Sequence, residues 1–417
     1  MKKVFDKNIY FVKNKDFHTI QIKIGFPFFD TDEDMAHLSL LPALVSYMNE
    51  EYNTEESFQK NKQKNYILAT GCSRNVIGNN VFFTYSMIIP NKNALGLDML
   101  DKQFDFFEKF VYHPKIVDGG FDAFELEREK KDLKMRIANG IKNLRVYRNI
   151  KFVEAFDTIG IASRGIHNNI DLIDKVTPYS LYKYYQKVIS NNKPLVFVFG
   201  DFDEDEMTNL INKYLIKDKD TKPVLEKNYN FFLEPRENIN IVNDKGHFKD
   251  SAISLAYKVK DMSEDDFTKL NIVSNLLSSM SSRLLQKVLR DEFELVYSAN
   301  SCCHMRSGVL EITAYINKNN KELVIEKIKE IVLSLKDEVF ITEFLNNIIE
   351  RKRINLLHLL DDKLSLLDEV ICKELEIDLL AKEQYELIKE ITPKDISLFI
   401  DRLVLDTIYF VEEEDYE

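Results

Sequence analysis

The sequence contains no tryptophan and only four cysteines among its 417 residues, and it has no long apolar run. A membrane-spanning helix needs roughly eighteen or more consecutive apolar residues, and no stretch of the sequence approaches that length. The amino terminus is basic at Lys2 and Lys3, but no apolar run with a cleavage site follows, so we expect no signal peptide. Cysteines in such a chain are most simply reduced, buried thiols. These absences predict a cytoplasmic protein without a membrane span.

An excess of basic residues is also missing. The chain carries 57 Lys and Arg against 69 Asp and Glu, a net charge of −12, and no basic stripe stands out. Because the phosphates of nucleic acids attract basic surfaces, these charges argue against a nucleic-acid partner. Apolar residues make up 45% and aromatic residues 12% of the chain, which supports large cores and argues against disorder. A chain of this length predicts two or three domains.

One cluster has the residue types of a metal site, namely Cys302, Cys303 and His304. Adjacent residues of a strand point to opposite faces, so the two cysteines would not face the same ion. Structural zinc sites usually draw on a second pair of ligands with its own short spacing, and the sequence offers no such pair. We therefore expect no structural zinc at this cluster.

An internal repeat organises the chain. When the sequence is shifted by 232 positions, residues 19–48 align with residues 251–280 without a gap. Both segments read as a strand, an acidic loop and an apolar helix, and the helices are Met35–Met48 and Phe267–Met280. The aligned pairs include Asp34 with Asp266, Leu44 with Leu276 and Met48 with Met280. A repeat with so long a period indicates a duplicated domain rather than a solenoid.

The far ends of the two halves also agree, because each contains a Thr-Pro pair that predicts the start of a helix. Threonine is favoured as the N-cap residue and proline at the first helical position. In both halves the predicted helix leads to a predicted strand. The pairs are Thr177-Pro178, which precedes the strand Leu195–Phe199, and Thr392-Pro393, which precedes the strand Thr407–Val411.

These patterns predict two domains of similar topology, at residues 1–215 and 236–417, joined by a polar linker at residues 216–235. Each half also contains a long charged helical region, at residues 120–157 and 322–374. Strands and helices do not alternate one for one, which favours an α+β fold over a parallel doubly wound sheet.

The stretch Ser281–Ser301 combines a helix and a strand around two polar side chains. Its first part has an amphipathic spacing, and its apolar face consists of Leu284, Leu285, Val288 and Leu289. The pattern then changes, and residues 295–297 predict the start of a strand. Arg290 and Tyr297 lie on either side of this helix-to-strand corner, where both could point into one cavity. A solvated arginine and a core tyrosine remain the alternative interpretation of these residues.

Three blocks of the sequence resemble the insulinase/pitrilysin family of zinc peptidases. They are LRDEFELVY at residues 289–297, FELEREKKDLKMRI at residues 124–137, and the segment at residues 164–203 that ends in Gly-Asp-Phe-Asp. Their order and spacing extend the resemblance over essentially the whole chain. It implies two duplicated α+β domains, each a mostly antiparallel sheet with helices on one face. It also implies that Arg290 and Tyr297 bind the backbone of a substrate peptide beside the bond to be cut.

The same resemblance implies that the zinc ligands are missing here. Active members carry His-x-x-Glu-His on the first long helix, where both imidazoles bind one zinc ion and the Glu is the general base. The corresponding positions are Ser39-Leu40-Leu41-Pro42-Ala43, and Lys134 stands where the third ligand, a Glu, is expected, although Glu127 is retained. A second register that starts at His37 still lacks the Glu and the second His. We expect no zinc on this chain and no peptidase activity from the chain alone.

The Arg/Tyr pair occurs only in the second half of the chain. The matching positions of the first half are Gln63 and Thr70 once the register is allowed to shift. Family members that use the pair carry it in the second half as well. This selective retention favours a functional role for Arg290 and Tyr297.

Together these features predict a non-catalytic subunit of a heterodimeric zinc metallopeptidase. The chain would supply Arg290, Tyr297 and half the chamber for a peptide substrate, and a homologous partner subunit would carry the zinc. Similar bacterial pairs suggest a role in peptide or leader-peptide maturation. The alternative is a structural protein of the same fold, comparable to the core subunits of the respiratory cytochrome complex, with no role in proteolysis.

Overall fold

The computed structural model describes residues 2–4, 8–77, 80–190, 194–216, 230–280, 282–361, 369 and 381–414. The chain divides into two compact units. The first comprises Met1–Ile137 and Arg164–Tyr229, and the second comprises Ala138–Ser163 and Asn230–Glu417. Within the described ranges, every helix is too short or too polar to cross a membrane.

The first unit is built on a six-stranded sheet with the strand order β1-β2-β6-β3-β5-β4. All neighbouring strands are antiparallel except β2 and β6, which are parallel. The strands are β1 (Lys2–Val4), β2 (Ile9–Lys13), β3 (Thr19–Phe29), β4 (Ala69–Ile77), β5 (Asn80–Pro90) and β6 (Leu195–Gly200).

Nine helices lie between residues 35 and 214 of the described chain, and all but the sixth pack in the first unit. They are α1 (Met35–Val45), α2 (Glu55–Lys64), α3 (Lys92–Leu95), α4 (Leu100–Tyr112), α5 (Ala123–Gly140), α6 (Leu144–Phe156), α7 (Asp171–Lys175), α8 (Pro178–Ser190) and α9 (Glu204–Tyr214). The last residues of α5 fall on the second unit's side of the division.

Phenylalanine and tyrosine fill the first core in place of tryptophan. Phe106 and Phe110 of α4 are one helical turn apart, and both are buried. Phe58 of α2 packs against Phe106 with ring centroids 5.1 Å apart, and Tyr85 of β5 meets Phe110 edge-on at 5.3 Å. Edge-on aromatic pairs of this kind add about 0.5–1.5 kcal/mol beyond the burial of their surface.

The second unit is built on a five-stranded sheet with the order β7-β11-β8-β10-β9. Its strands are β7 (Asn240–Gly246), β8 (Ser251–Val259), β9 (Val296–His304), β10 (Val309–Ile316) and β11 (Leu403–Glu413). The helices that follow α9 in the described chain are α10 (Phe267–Ser278), α11 (Leu284–Gln286), α12 (Lys321–Ser334), α13 (Glu338–Asp361), α14 (Ala381–Glu390) and α15 (Pro393–Ile400). The rest of the long helical region predicted at residues 322–374 lies largely outside the described residues.

The two sheets have the same topology, which confirms the predicted α+β class and the duplication. The order β2-β6-β3-β5-β4 corresponds strand for strand to β7-β11-β8-β10-β9, and in both sheets only the first two strands of that order are parallel. A 3₁₀ turn at Asp32–Asp34 leads into α1, and one at Glu264–Asp266 leads into α10. The helices α1 and α10 therefore occupy equivalent places, as the repeat predicts.

Both predicted Thr-Pro helix starts are confirmed. Helix α8 begins at Pro178, and Thr177 Oγ1 accepts a hydrogen bond from the Ser180 amide at 3.0 Å. Helix α15 begins at Pro393, and its N-cap Thr392 exchanges hydrogen bonds with Asp395 in a capping box.

The unit boundaries differ from the predicted domains, because residues 138–163 pack with the second unit. The predicted helical region at residues 120–157 is two helices, α5 and α6. In α6, Phe152 and Phe156 are buried in a cluster with Ala252, Ala256 and Tyr409 of the second sheet. The helices α10 and α12 contribute to a separate core of the same unit, which includes the alternate residues of β8. The sheet is therefore covered on both faces.

The predicted linker lies partly outside the described residues, which omit residues 217–229. From Asn230 onward the chain already contacts the second unit. The Phe231 and Leu233 amides donate to the carbonyls of Arg306 and Ser307, each at 2.9 Å. These bonds place the start of the second unit earlier than the predicted residue 236.

Candidate functional site

The corner that carries Arg290 contains a π-helical turn, Lys287–Glu292, which continues directly from α11. The Phe293 amide donates to the Val288 carbonyl at 3.1 Å, five residues back, and the Leu295 amide donates to the Leu289 carbonyl at 2.8 Å. The strand β9 then begins at Val296, so the predicted helix-to-strand corner is confirmed. π-Helical turns are rare and occur frequently at functional sites.

Buried leucines and a backbone contact hold this corner in place. Leu285 and Leu289 are fully buried in the second core, one helical turn apart. The Gln286 side chain donates to the Ala299 carbonyl of β9 at 3.0 Å. Glu294 has φ 52°, in the left-handed region that turns the chain sharply between helix and strand. The position of Arg290 is thus fixed by its neighbours.

Tyr297 lies at a β-bulge in the first residues of β9. On β10, Ile316 pairs with Val296 and Tyr315 pairs with Ser298, so Tyr297 is left without an opposite residue. A bulge of this kind redirects a side chain and is common next to functional sites. The Tyr297 side chain is 57% exposed, which excludes the alternative that it is a core tyrosine.

Arg290 is also exposed. Within the described part of the chain, the side chains of Arg290 and Tyr297 take part in no hydrogen bond, ion pair or ring contact. The guanidinium donors and the phenol hydroxyl are therefore available to an external acceptor. Both belong to one corner of the second unit.

The matching corner of the first unit is built differently. Helix α2 ends at Lys64, and β4 begins at Ala69. Gln63 is exposed near the end of α2, whereas Thr70 is half-buried and pairs with Met87 in an uninterrupted register. The bulge and the two long donor side chains are features of the second unit's corner.

The three predicted zinc-site positions on α1 are occupied by residues with structural contacts. Ser39 Oγ donates to the Met35 carbonyl at 2.8 Å. Pro42 lies inside the helix, and its carbonyl accepts a hydrogen bond from Ser46 Oγ. Ala43 is half-buried and packs against the first core. Neither an imidazole nor a carboxylate stands at these positions.

Lys134, at the predicted third-ligand position of α5, forms an ion pair. Its Nζ atom lies 2.5 Å from Asp174 of α7. Glu127 is exposed and pairs with Lys130 at 2.7 Å. Among the described residues, no hydrogen bond or ion pair joins Lys134 to Ser39 or Ala43. The ammonium group repels a cation, so these positions do not form a ligand set.

A pocket of about 200 Å³ opens beside Ala43. Helix α5 contributes Glu125, Arg128 and Glu129 to its wall, and Arg128 pairs with Glu125 at 2.7 Å. Lys134 is nine residues beyond Glu125, which places it about half a turn away around α5. The pocket therefore does not unite the predicted zinc-site positions.

His37 has a structural environment. Its Nε2 atom is 2.9 Å from Ser180 Oγ, and its ring centroid is 5.5 Å from that of Tyr184. Burial lowers the pKa of His37, because the charged imidazolium is poorly solvated there. These contacts argue against the register that would make His37 a zinc ligand.

The structure adds one residue to the cysteine cluster, because Glu311 of β10 lies opposite Cys302 of β9. As predicted, the neighbouring cysteines face opposite ways. The Cys302 thiol approaches Glu311, whereas the Cys303 thiol approaches the Leu270 carbonyl. Cys72, Cys302 and Cys303 are free thiols, and Cys372 lies outside the described residues. The sequence signal for Glu311 is a single carboxylate within a mostly apolar strand, but the pairing with Cys302 is set by the register of the hairpin.

Comparison with known proteins shows which sequences this chain resembles. Residues 175–349 match the family profile described as "Peptidase M16 inactive domain". The chain is 24% identical over 379 residues to the Bacillus subtilis protein named "Probable inactive metalloprotease YmfF", a match that covers 88% of this chain and 84% of that protein.

Solved structures share the whole fold. A conserved protein from Enterococcus faecalis superimposes with a TM-score of 0.86 at 20% identity and covers 99% of both chains. A protease from Helicobacter pylori gives a TM-score of 0.75 at 16% identity, over 97% of this chain and 96% of its own. Together with the sequence matches, these findings confirm the predicted resemblance to the insulinase-like, or M16, peptidases.

Proposed function

We propose that this chain, a homologue of inactive M16-family metalloproteases, is the non-catalytic subunit of a two-chain zinc peptidase. In this proposal the partner is a homologous chain with an intact His-x-x-Glu-His motif, which holds the zinc ion and activates water. This chain supplies the peptide-binding corner with Arg290 and Tyr297. The expected substrate is an unfolded peptide, such as a leader peptide.

The observation that carries the proposal is the combination of exposure and rigidity at the corner. Arg290 and Tyr297 are exposed, while the leucines between and beside them are buried. An arginine in a π-helical turn and a tyrosine at a bulge occupy two backbone irregularities that ordinary packing would not require. Such irregularities are retained most readily where a side chain must be aimed at a ligand.

The chemistry of the two side chains suits a peptide bond. The guanidinium presents several N–H donors in a planar fork, and the phenol adds one O–H donor. Both can bond to a peptide carbonyl, whose oxygen would become negatively charged in the transition state of peptide hydrolysis. Donors placed at that oxygen bind the transition state more tightly than the substrate, and this difference accelerates the reaction.

The zinc-site positions support a non-catalytic role. Ser39, Pro42 and Ala43 provide no metal ligand comparable to histidine or glutamate, and Lys134 adds a positive charge. Zinc chemistry in the proposed complex must therefore come from the partner chain. In that chain, zinc supplies a bound water of lowered pKa, and the corner described here orients the peptide.

Reconstitution tests this proposal. A homologous chain with the intact motif is purified alone, this chain is purified alone, and the two are mixed at increasing ratios while cleavage of an unstructured peptide is followed. We expect neither chain to cleave the peptide alone and turnover to saturate at one of this chain per partner. If the partner is equally active alone, the proposal fails and the scaffold alternative takes its place.

A further inference from the structure

Three metal-ligating side chains come together on the α6 side of the second sheet. Cys302 and His304 are two residues apart on β9 and therefore share a face. Glu311 lies directly opposite Cys302 on β10. One donor atom from each of the three residues lies within 4.8 Å of the other two.

Contrary to the sequence-based expectation of no zinc at this cluster, we propose that Cys302, His304 and Glu311 form a binding site for one Zn²⁺ ion, because the strand register adds Glu311 to the set of ligands. Thiolate, imidazole and carboxylate are the three kinds of side chain that bind zinc in proteins, at distances of about 2.0–2.3 Å. Three protein ligands leave a fourth tetrahedral position for water. The mixed sulfur, nitrogen and oxygen set favours zinc over the hard cations magnesium and calcium, which prefer oxygen ligands alone.

The hydrogen bonds of the cluster already occupy the directions that metal bonds would take. The Cys302 thiol donates to Glu311 Oε2 at 3.4 Å, and His304 Nε2 lies 2.7 Å from the same oxygen. When a zinc ion binds between them, the thiol loses its proton, and the imidazole presents an unprotonated Nε2 with its remaining proton on Nδ1. Atoms that bind one zinc ion tetrahedrally at about 2.0–2.3 Å lie more than about 3 Å from one another. His304 Nε2 and Glu311 Oε2 must therefore separate slightly to admit the ion.

Hydrogen bonds from neighbouring side chains fix the other carboxylate oxygen of Glu311. Its Oε1 atom accepts hydrogen bonds from the Thr313 hydroxyl, at 2.6 Å, and from the Arg148 guanidinium of α6. Arg148 also donates to Ser254 Oγ at 3.0 Å. Outer partners of this kind orient a metal-binding carboxylate and are a regular part of metal sites. They aim Oε2 toward Cys302 and His304.

Access and charge are compatible with a divalent cation. Cys302 is exposed, and the His304 side chain keeps 28% of its surface accessible, so an ion can enter from solvent. The His304 ring rests against Phe156 of α6, with centroids 5.0 Å apart, which limits its rotation. When Zn²⁺ displaces the Cys302 proton to solvent, the thiolate and the Glu311 carboxylate together would outweigh the single positive charge of Arg148.

The turn between the strands sets the register on which the site depends. Gly308 follows the 3₁₀ turn Met305–Ser307 and has φ 67°, a conformation that favours glycine. A Cβ atom at this position would lie 2.8 Å from Met262 Cγ. A register shift of one residue in this hairpin would move Glu311 away from Cys302, so the three side chains would no longer lie together.

Cobalt titration of the metal-free chain tests the proposal, since Co²⁺ occupies zinc sites and gives an intense near-ultraviolet band when a thiolate binds it. We expect one equivalent of Co²⁺ to produce this band and Zn²⁺ to displace it. Cys302→Ser should abolish the band. Cys303→Ser is the matched control, because that thiol lies on the opposite face of β9, and it should retain the band at wild-type intensity.

Affinity for zinc gives a second readout. Even outer partners of a metal ligand change affinity by about 10- to 100-fold, so removal of the ligand in His304→Asn should weaken zinc binding by at least that factor. Circular dichroism of each variant verifies that it is folded. Absence of the thiolate band in the wild-type chain, or an equal band in Cys302→Ser, would overturn the proposal. The cluster would then be a hydrogen-bonded network only.

Discussion

Arg148 of α6 forms a buried ion pair with Glu311 of β10, a residue 163 positions later in the sequence. Their side chains are only 6% and 5% exposed. Arg148 also donates hydrogen bonds to Ser254 and Thr313, so four residues from one helix and two strands share one network. This network fastens α6 to the second sheet and explains why residues 138–163 join the second unit.

Removal of Arg148 should destabilise the protein strongly. Arg148→Ala leaves the Glu311 carboxylate buried with its main cationic partner gone, a change that typically costs about 3–5 kcal/mol of unfolding free energy. Urea denaturation measures the loss. Arg145→Ala is the matched control, since Arg145 is exposed on the same helix, and its effect should stay within about 0.5 kcal/mol.

Replacement of both partners separates the cost of an unpaired charge from the value of the pair. Arg148→Met combined with Glu311→Leu removes both charges, so the double variant should recover most of the stability that Arg148→Ala loses. If the double variant is as unstable as Arg148→Ala, the hydrogen bonds to Ser254 and Thr313 carry the stability instead of the charge pairing.

The same network makes the unfolding free energy depend on pH in the acidic range. Burial raises the pKa of Glu311, but the hydrogen bond from His304 and the charge of Arg148 outweigh it and hold the pKa at about 2, below the usual 4.5. A depressed folded-state pKa stabilises the protein above the unfolded pKa, and this stabilisation is lost as the pH falls toward the folded pKa. We therefore expect the stability difference between wild type and Glu311→Gln to shrink between about pH 4.5 and about pH 2.

Glu311→Gln has nearly the same volume as the wild type and cannot ionise. Urea unfolding of both proteins across this pH range measures the difference directly. A difference that stays constant with pH would show that the Glu311 carboxylate titrates no differently in the folded and unfolded chains.

Asp30 should behave in the opposite sense. Burial, together with the negative charge of Asp34, raises the pKa of Asp30 to about 6. Tyr184 donates to its Oδ2 atom at 3.0 Å, while Lys187 stays 3.7 Å from Oδ1. Because the folded state holds this proton more tightly than the unfolded state, stability is lost as the pH rises from about 4 to about 6.

Asp30→Asn removes this penalty. At about pH 7 the variant should be more stable than wild type by about 1–3 kcal/mol, and the gain should vanish below about pH 4, where both side chains are neutral. Asp101→Asn is a useful comparison, because Asp101 is exposed and pairs with Lys213 at 2.8 Å, so its loss should give no such gain. A variant at position 30 that is less stable than wild type at about pH 7 would contradict this account.

The residues at the zinc-site positions of the first unit should bind no metal. This expectation is tested in a Cys302→Ser variant, in which the proposed site at Cys302, His304 and Glu311 is disabled. With Ser39, Ala43 and Lys134 in place of ligands, the Cys302→Ser variant should retain far less than one zinc per chain after dialysis, as measured by atomic absorption. A full equivalent retained by Cys302→Ser would show that a metal binds elsewhere, and the assignment of these positions would have to be abandoned.

The sequence predicted features that depend on local pattern and on repetition. The strand, acidic loop and helix of each half follow from periodicity and capping residues, and the matching of Asp34 with Asp266 placed α1 and α10 in equivalent positions. The helix-to-strand corner could be predicted because the spacing of apolar residues changes within a few residues. It is helical at Leu285 and Leu289 and typical of a strand at Val296.

Features that depend on contacts distant in sequence could not be predicted. The bulge at Tyr297 belongs to the pairing of β9 with β10, and neither this bulge nor the π-helical turn around Arg290 has a local sequence signature. The docking of α6 requires Arg148 to meet Glu311, and the cysteine cluster required the hairpin register that brings Glu311 beside Cys302. Each depends on tertiary packing.

The most direct test of the central claim is peptide turnover by the reconstituted two-chain complex with changes at the corner. Arg290→Ala and Tyr297→Phe should each reduce turnover by about 10²-fold, the usual loss for one transition-state donor, and should leave subunit association unchanged. Lys287→Ala is the matched control, because Lys287 is exposed in the same π-helical turn, and it should alter neither property. Full turnover by a complex that carries both changes would contradict the claim and identify the chain as a scaffold.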